Sequence, residues 1–83
     1  MADFGPEMLT GAQIRAARAL LGISAARLAE MTRLGVATIR RSELDDGPVT
    51  MTIVNAERVI AAFDAAGVEF IARDGAGVGV LLK

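Results

Sequence analysis

The spacing of apolar residues is helical over most of the chain and becomes strand-like near its end. Ile14, Ala17 and Leu21 share one helical face, whereas residues 68–71 and 78–82 are apolar runs typical of short strands. Glycine and aspartate in residues 73–77 predict a turn between the two runs. The pattern therefore predicts a mainly α fold, a compact bundle of four to five helices that ends in a short β-hairpin.

Polar caps and glycines mark the ends of the predicted helices. Thr10 and Gln13 form a capping box, and Gly22 is a natural stop for the first helix. Ser24 is a good N-cap for the second helix, and the sequence DDGP at residues 45–48 favours a turn after the third. The predicted helices are Thr10 to Gly22, Ala25 to Thr32, residues 35–44, and a fourth that starts after Thr50 or Thr52 and ends at Gly67.

The chain has 83 residues, which is enough for one domain. Residues 1–8 lack periodicity and are interpreted as a flexible N-terminal arm, followed by a helical domain at 9–67 and the hairpin at 68–83. Hydrophobic residues make up 53% of the sequence, and a two-stranded hairpin is marginal on its own. We therefore expect a homodimer, with the hairpin as a possible dimerisation element.

The residue types that are absent exclude several classes of function. The sequence contains no Cys and no His, which argues against zinc sites and against Ser-His or Cys-His catalysis. It also lacks Trp and Tyr, the usual stacking platform for single-stranded nucleic acid. Neither a signal peptide nor a membrane-spanning run is recognisable, so the cytoplasm is the expected compartment. We expect no cofactor and no metal.

Positive charge is concentrated in the middle of the chain, although the net charge is −1. Residues 10–44 hold six arginines and two acids, a net charge of +4, whereas the remainder holds three basic residues and eight acids, a net charge of −5. Such a division is expected when one face of a domain meets phosphate, because guanidinium groups match phosphate oxygens. Solvated helix faces are the alternative interpretation.

The most informative segment is SAARLAEMTRLGVATIRRSE, residues 24–43. It predicts two short helices joined by a three-residue turn, with Ala29 at a close helix crossing and Ile39 anchoring the second helix from below. The Leu34 side chain is expected to pack into the core and so to anchor the turn. The opposite face of the second helix could then enter the major groove of DNA, which is ~12 Å wide. That face carries Val36, Ala37, Arg40 and Arg41.

Three segments of the chain, LTGAQIRAARALLGIS, RLAEMTRLGVATIRRSE and DGP, carry a resemblance to a known family. They resemble the phage-repressor-type (Xre) helix-turn-helix family, and the tail AAGVEFI with its Gly-rich turn resembles a compact bacterial subgroup. The resemblance extends from Leu9 to Lys83. It implies a four- or five-helix core with a helix-turn-helix, double-stranded DNA as ligand, a homodimer, and regulation of transcription.

The resemblance also implies roles for single residues. Val36 and Ala37 match positions that often read bases, where they suit a thymine methyl group. Ser24 matches the capping residue of the second helix, and Thr38 a position on the phosphate or core side. The departures from the family pattern are Ala25 in place of Gln, Gly35 in place of Ser or Thr, and Ser42 in place of Leu.

The arginines are assigned as hypotheses from their chemistry. Arg40 is the best candidate to read a guanine through O6 and N7, with Arg41 sharing that role or binding a phosphate. The other phosphate contacts would position the domain without reading sequence. The candidates for phosphate contact are Arg15, Arg18, Ser24, Arg27, Arg33 and Thr38.

The leading interpretation is a sequence-specific, double-stranded DNA-binding transcriptional regulator that uses the helix at 35–44. The alternative is a helix-turn-helix module repurposed to bind protein, such as a transcription-machinery accessory or an antitoxin-like partner. The apolar residues on the recognition face and the acidic total charge favour that alternative. An enzyme is least favoured, because without His, Cys or Tyr it would need paired carboxylates in a pocket. No small-molecule substrate is evident.

Overall fold

The structure is a computed structural model that describes residues 4–73 and 77–83. A short 3₁₀ turn precedes four α-helices, and the chain ends in two antiparallel strands, which confirms the mainly α fold and the C-terminal hairpin. The elements are the 3₁₀ turn Pro6–Met8, α1 Gly11–Leu21, α2 Ala25–Thr32, α3 Val36–Glu43, α4 Ile53–Ala65, β1 Val68–Arg73 and β2 Gly77–Leu82.

The capping signals lie where the sequence predicts them. The Thr10 hydroxyl accepts from the Gln13 N–H at 3.1 Å, and the Gln13 side chain accepts from the Thr10 N–H at 3.1 Å, which completes the capping box of α1. Gly22 ends α1 in the left-handed conformation at φ 66°. The Ser24 and Thr52 hydroxyls accept from the Arg27 and Asn55 N–H groups and so cap the starts of α2 and α4. These local bonds explain why the predicted helix ends agree with the structure within one or two residues.

One hydrophobic core joins the helices and the hairpin. Its largest fully buried side chains are apolar residues from the loop before α1, all four helices and β1. They are Leu9, Ile14, Leu28, Ile39, Val59, Phe63 and Val68. Since every helix contributes to this single cluster, the helical residues and the hairpin form one domain.

The prediction of a flexible arm at residues 1–8 is wrong for residues 4–8. The Phe4 ring stacks on Phe70 with centroids 5.6 Å apart, and the turn Pro6–Met8 packs against α4. Proline at the first position of this turn suits its fixed φ. Phe4 explains the difference, because an aromatic side chain gains stability when its large apolar surface packs on the core. Residues 1–3 lie outside the described residues.

The hairpin is tied to α1 by a buried glutamine. Strands β1 and β2 pair in the register Val68 with Leu82, and Ile71 with Gly79. The Gln13 Nε2 donates to the carbonyl oxygens of both Ile71 and Gly79, at 3.1 and 2.9 Å. Gln13 is only 2% exposed, so these bonds satisfy an amide that would otherwise be costly to bury. Part of the turn predicted at 73–77, residues 74–76, lies outside the described residues.

The loop between α3 and α4 forms the predicted turn and returns the chain to α1. The Asp45 carboxylate accepts from the Gly47 N–H at 3.1 Å, an Asx turn. The Gly47 carbonyl then accepts from the Gly11 N–H at 2.9 Å. Gly11 is buried, and a Cβ built on it would clash with the backbone carbonyl oxygens of Ser42 and Asp45. A glycine is therefore required where α1 meets the end of α3.

Candidate nucleic-acid interface

Helices α2 and α3 are joined by a tight turn of three residues, Arg33 to Gly35, as the sequence predicts. Arg33 ends α2 with a left-handed φ of 59°, the single non-glycine residue with positive φ in the described chain. The Leu34 N–H donates to the Ala29 carbonyl at 3.1 Å, and Leu34 packs against the core. The turn therefore has one defined geometry, which fixes the direction in which α3 leaves α2.

The inner face of α3 is anchored by two buried residues. Ile39 is fully buried in the core, as predicted. Ser42 is 3% exposed, and its hydroxyl donates to the Thr38 carbonyl at 2.9 Å. The start of α1 approaches the backbone here closely, since the Ser42 carbonyl is one of the atoms that a Cβ on Gly11 would meet.

A bidentate ion pair fastens α3 to α1. The Arg18 guanidinium donates from Nε and from one terminal nitrogen to the two carboxylate oxygens of Glu43, both at 2.7 Å, and its other terminal nitrogen donates to the Ile23 carbonyl at 3.0 Å. The side chains are 23% and 8% exposed. Hydrogen bonding to Glu43 raises the pKa of Arg18 above its ordinary value. A paired carboxylate explains how Glu43 is tolerated in so buried a position.

Arg15 also reaches the end of α3. Its guanidinium contacts the Glu43 carbonyl and the Asp46 carboxylate. Both arginines that α1 contributes to the basic segment are therefore engaged within the protein. Of the residues predicted to contact phosphate, Arg18 donates one hydrogen bond from each of its three side-chain nitrogens to groups within the protein, and these bonds support α3.

The outward face of α3 presents two cationic side chains. Ala37, Arg40 and Arg41 are exposed, and their spacing of three and four residues places them on one side of the helix. Across residues 4–73 and 77–83, neither the Arg40 nor the Arg41 guanidinium has a hydrogen bond or ion pair. An exposed, unpaired guanidinium on a well-anchored helix is free to bind an anion or a base edge.

The structure corrects the prediction for Val36. Val36 was expected on the exposed face of α3, but its side chain is half-buried and packs against the core. Val36 is the first residue of α3. Gly35 precedes it in an extended conformation and provides no side-chain cap for the helix. The exposed members of the predicted face are therefore Ala37, Arg40 and Arg41.

The remaining predicted contacts lie around α2 and the turn. Ser24 is exposed, but its hydroxyl already accepts the Arg27 N–H at 3.0 Å as the cap of α2. Arg27 is exposed and bonds Glu30 at 3.3 Å within the same helix, an interaction that solvent weakens. Arg33 is exposed at the turn, and Thr38 is half-buried. The structure thus leaves Arg27 and Arg33 accessible.

Sequence reasoning missed the two residues that organise this region. Glu43 was counted as one of two acids in the basic segment, and its isolation there was the available signal that it pairs with an arginine. Gln13 was recognised as a cap but not as the link to the hairpin. The use of Gln instead of Glu in the capping box was the signal, because only the amide can also donate.

Comparisons with known proteins return no match: no protein-family model fits the chain, and no curated protein is significantly similar to it. Within the described residues, no helix combines the length and the apolar character that a membrane span requires.

Proposed function

We propose that the chain is a sequence-specific double-stranded DNA-binding protein that regulates transcription, with α2 and α3 acting as a helix-turn-helix. The observation that carries the proposal is the contrast between the two sides of α3. Ile39 and the Arg18–Glu43 pair hold the inner side, while Arg40 and Arg41 are exposed on the outer side and have no partner among residues 4–73 and 77–83. A helix held in this way can lie in the major groove without losing its contacts to the domain.

Each exposed residue has a definite role in this proposal. Arg40 reads a guanine through O6 and N7, Arg41 shares this role or binds a phosphate, and Ala37 contacts a thymine methyl group. Arg27 and Arg33 bind phosphates beside the groove. Such a protein works in the cytoplasm of a bacterial cell and binds a palindromic site as a homodimer, with two α3 helices about 34–36 Å apart.

Arg18 and Arg15 take a different role from the one the sequence suggested. With its guanidinium filled by Glu43 and the Ile23 carbonyl, Arg18 positions α3 and does not bind phosphate. Arg15, 40% exposed and in contact with Asp46, is at most a secondary phosphate contact.

The test is in-vitro selection of binding sites from a random duplex library, followed by affinity measurement on the selected site. We expect a palindromic site for the wild type and loss of its enrichment for the double variant R40A/R41A. Each lost base contact should cost about 1–3 kcal/mol, roughly 5- to 150-fold in affinity. The matched control is R58A/R73A, which removes two exposed arginines elsewhere and changes the net charge equally.

Equal losses for both double variants would contradict base reading by α3, because they would show that only overall charge matters. A failure of the wild type to enrich any site at about 50 mM salt, where phosphate contacts are strong, would favour the second candidate function. That candidate is a helix-turn-helix module that binds protein. The observation in its favour is the exposure of large apolar side chains at the end of α3 and at the start of α4, where Leu44, Ile53 and Val54 are 84%, 51% and 60% exposed.

A further inference from the structure

The free edge of β2 offers backbone groups that the rest of the described chain does not use. The sheet has two strands, so each strand has one unpaired edge. The Lys83 N–H donates to the Gly67 carbonyl at 2.7 Å, one step beyond the Val68–Leu82 pair. Hydrogen-bonded and non-bonded pairs alternate in an antiparallel ladder. The backbone groups of Val78, Val80 and Leu82 therefore point away from β1, toward the open edge.

This edge lacks the features that normally prevent strands from pairing. Residues 77–82, GVGVLL, contain no charge, no proline and no polar side chain. Three of its side chains are about half exposed: Val78 at 49%, Leu81 at 48% and Leu82 at 48%. Beside the edge, a shallow and mostly apolar groove runs between α1 and β2, lined by Ala12, Gln13, Ala16, Val78, Gly79 and Val80. An uncharged edge beside an apolar groove is a template for another strand.

We propose that the occupant of this edge is the β2 strand of a second copy of the chain, which joins the two hairpins into one four-stranded antiparallel sheet. The inference rests on the homodimer in the proposed function but does not depend on DNA binding. A two-fold axis centred on Val80 pairs Val80 with Val80 and Val78 with Leu82 of the second copy. Within β2, this is the register that pairs all three outward-facing residues with one another.

The same register gives the exposed side chains suitable neighbours. Leu81 lies opposite Gly79 of the second copy, where a Cβ would meet nothing within 4 Å, so the glycine leaves room for the leucine. Lys83 lies opposite Gly77, and no two like charges face each other. Because a two-fold axis normal to the sheet keeps both core faces on the same side, Val80 and Leu82 of the second copy approach the groove beside α1.

The size of the edge sets the strength of the dimer. The six residues of β2 span about 20 Å. One strand edge of this length buries less than the ~800 Å² per partner of a standard interface. The protein as a whole has 4900 Å² of accessible surface. We therefore expect a dimer that dissociates on dilution through the micromolar range and that two adjacent half-sites on DNA would reinforce.

Disulfide trapping tests the register directly, because the chain contains no Cys. Opposed residues in a hydrogen-bonded antiparallel pair have Cα atoms about 5.5 Å apart, within the range of a disulfide. Under mild oxidation we expect V80C to form a covalent dimer much faster than V54C, which carries its thiol at an exposed site on α4. Equal rates for the two variants would overturn the proposal.

Complementary charges provide a second test by sedimentation equilibrium, with circular dichroism to verify folding. The wild type should approach twice the 8.6 kDa chain mass at concentrations of about 100 µM, the range expected for a small interface, while V78K and L82E alone should each stay nearer to monomer. Mixing V78K with L82E should restore the dimer, whereas mixing V78K with V54E should not.

A wild type that stays monomeric throughout, or a mixture of V78K and L82E that fails to associate, would overturn the proposal and leave the edge to a strand of another protein. These outcomes are separate from DNA recognition, because site selection can succeed with a monomer on a half-site and can fail with an intact dimer.

Discussion

The substitution Gln13→Glu isolates one function of a residue that has two. Glutamate has the shape of glutamine, and its carboxylate can still accept from the Thr10 N–H, so the cap of α1 is retained. It cannot donate, so the bonds from Nε2 to the carbonyls of Ile71 and Gly79 are lost, and a negative oxygen would face both carbonyls. The substitution therefore tests the link between α1 and the hairpin alone.

The expected loss follows from the burial of this group. Two lost hydrogen bonds cost about 1 kcal/mol each, and a charge forced against two acceptors at a site that is 2% exposed adds more. We expect the free energy of unfolding to fall by about 3–5 kcal/mol at pH 7. Since small domains are stable by only about 5–15 kcal/mol in total, this loss should be a large part of the stability.

The sign of the pH dependence provides an internal check. Burial against two carbonyls raises the pKa of the introduced carboxyl group in the folded state above its ordinary value, which is about 4.3. Below that value the group is protonated in both states and can donate one hydrogen bond, so the penalty is smallest there. As the pH rises above about 4.3 the penalty grows, and it levels off above the folded-state pKa.

The assay is urea unfolding of Gln13→Glu and wild type, followed by far-ultraviolet circular dichroism, at pH 7 and near pH 4. The control is Ala19→Glu, which adds the same charge at an exposed position of α1 and should change the free energy of unfolding by only about 0.5 kcal/mol. The reasoning would be refuted if Gln13→Glu lost less than about 1 kcal/mol at pH 7, or if its loss did not shrink on acidification.

Two further predictions concern the contacts that position α3. A double-mutant cycle of Arg18→Met and Glu43→Gln, measured by urea unfolding, should give a coupling energy of about 2 kcal/mol. Because the pair is largely buried, 0.5 M salt should barely change this energy. Additive losses of stability would show that the two side chains are not coupled. Gly11→Ala should destabilise the folded protein by about 1–3 kcal/mol, because the added methyl group meets the carbonyls of Ser42 and Asp45. The midpoint of thermal unfolding should therefore fall. An unchanged midpoint would contradict the close approach of α1 to the end of α3.

The parts of the fold that were predictable from sequence are those that local interactions determine. Thr10, Gly22 and Ser24 each act within a few residues of their own position, so their effect on helix ends can be read without the tertiary structure. The period of apolar residues likewise identified Ile39 as an inward residue and the tail as a hairpin. Such signals do not depend on which distant segments come together.

The parts that were not predictable depend on contacts between distant segments. Arg18 and Glu43 are 25 residues apart, and Gln13 reaches carbonyls 58 and 66 residues away. No local rule distinguishes an arginine that will meet a buried carboxylate from one that will face solvent. The prediction for Phe4 was wrong for the same reason, since its partner Phe70 lies near the other end of the sequence. The division of the arginines between support and binding therefore required the structure.

Helix α1 connects the two surfaces to which we assign functions. At its start, Gln13 is bonded to both strands of the hairpin, and five residues later Arg18 is bonded to Glu43 at the end of α3. The segment between them is little more than one turn of helix, with 3.6 residues per turn. These hydrogen bonds, together with the core that the helices and the hairpin share, set the orientation of the β2 edge relative to Arg40 and Arg41. A dimer formed through that edge would hold its two α3 helices at a fixed separation, which recognition of two half-sites at one spacing requires.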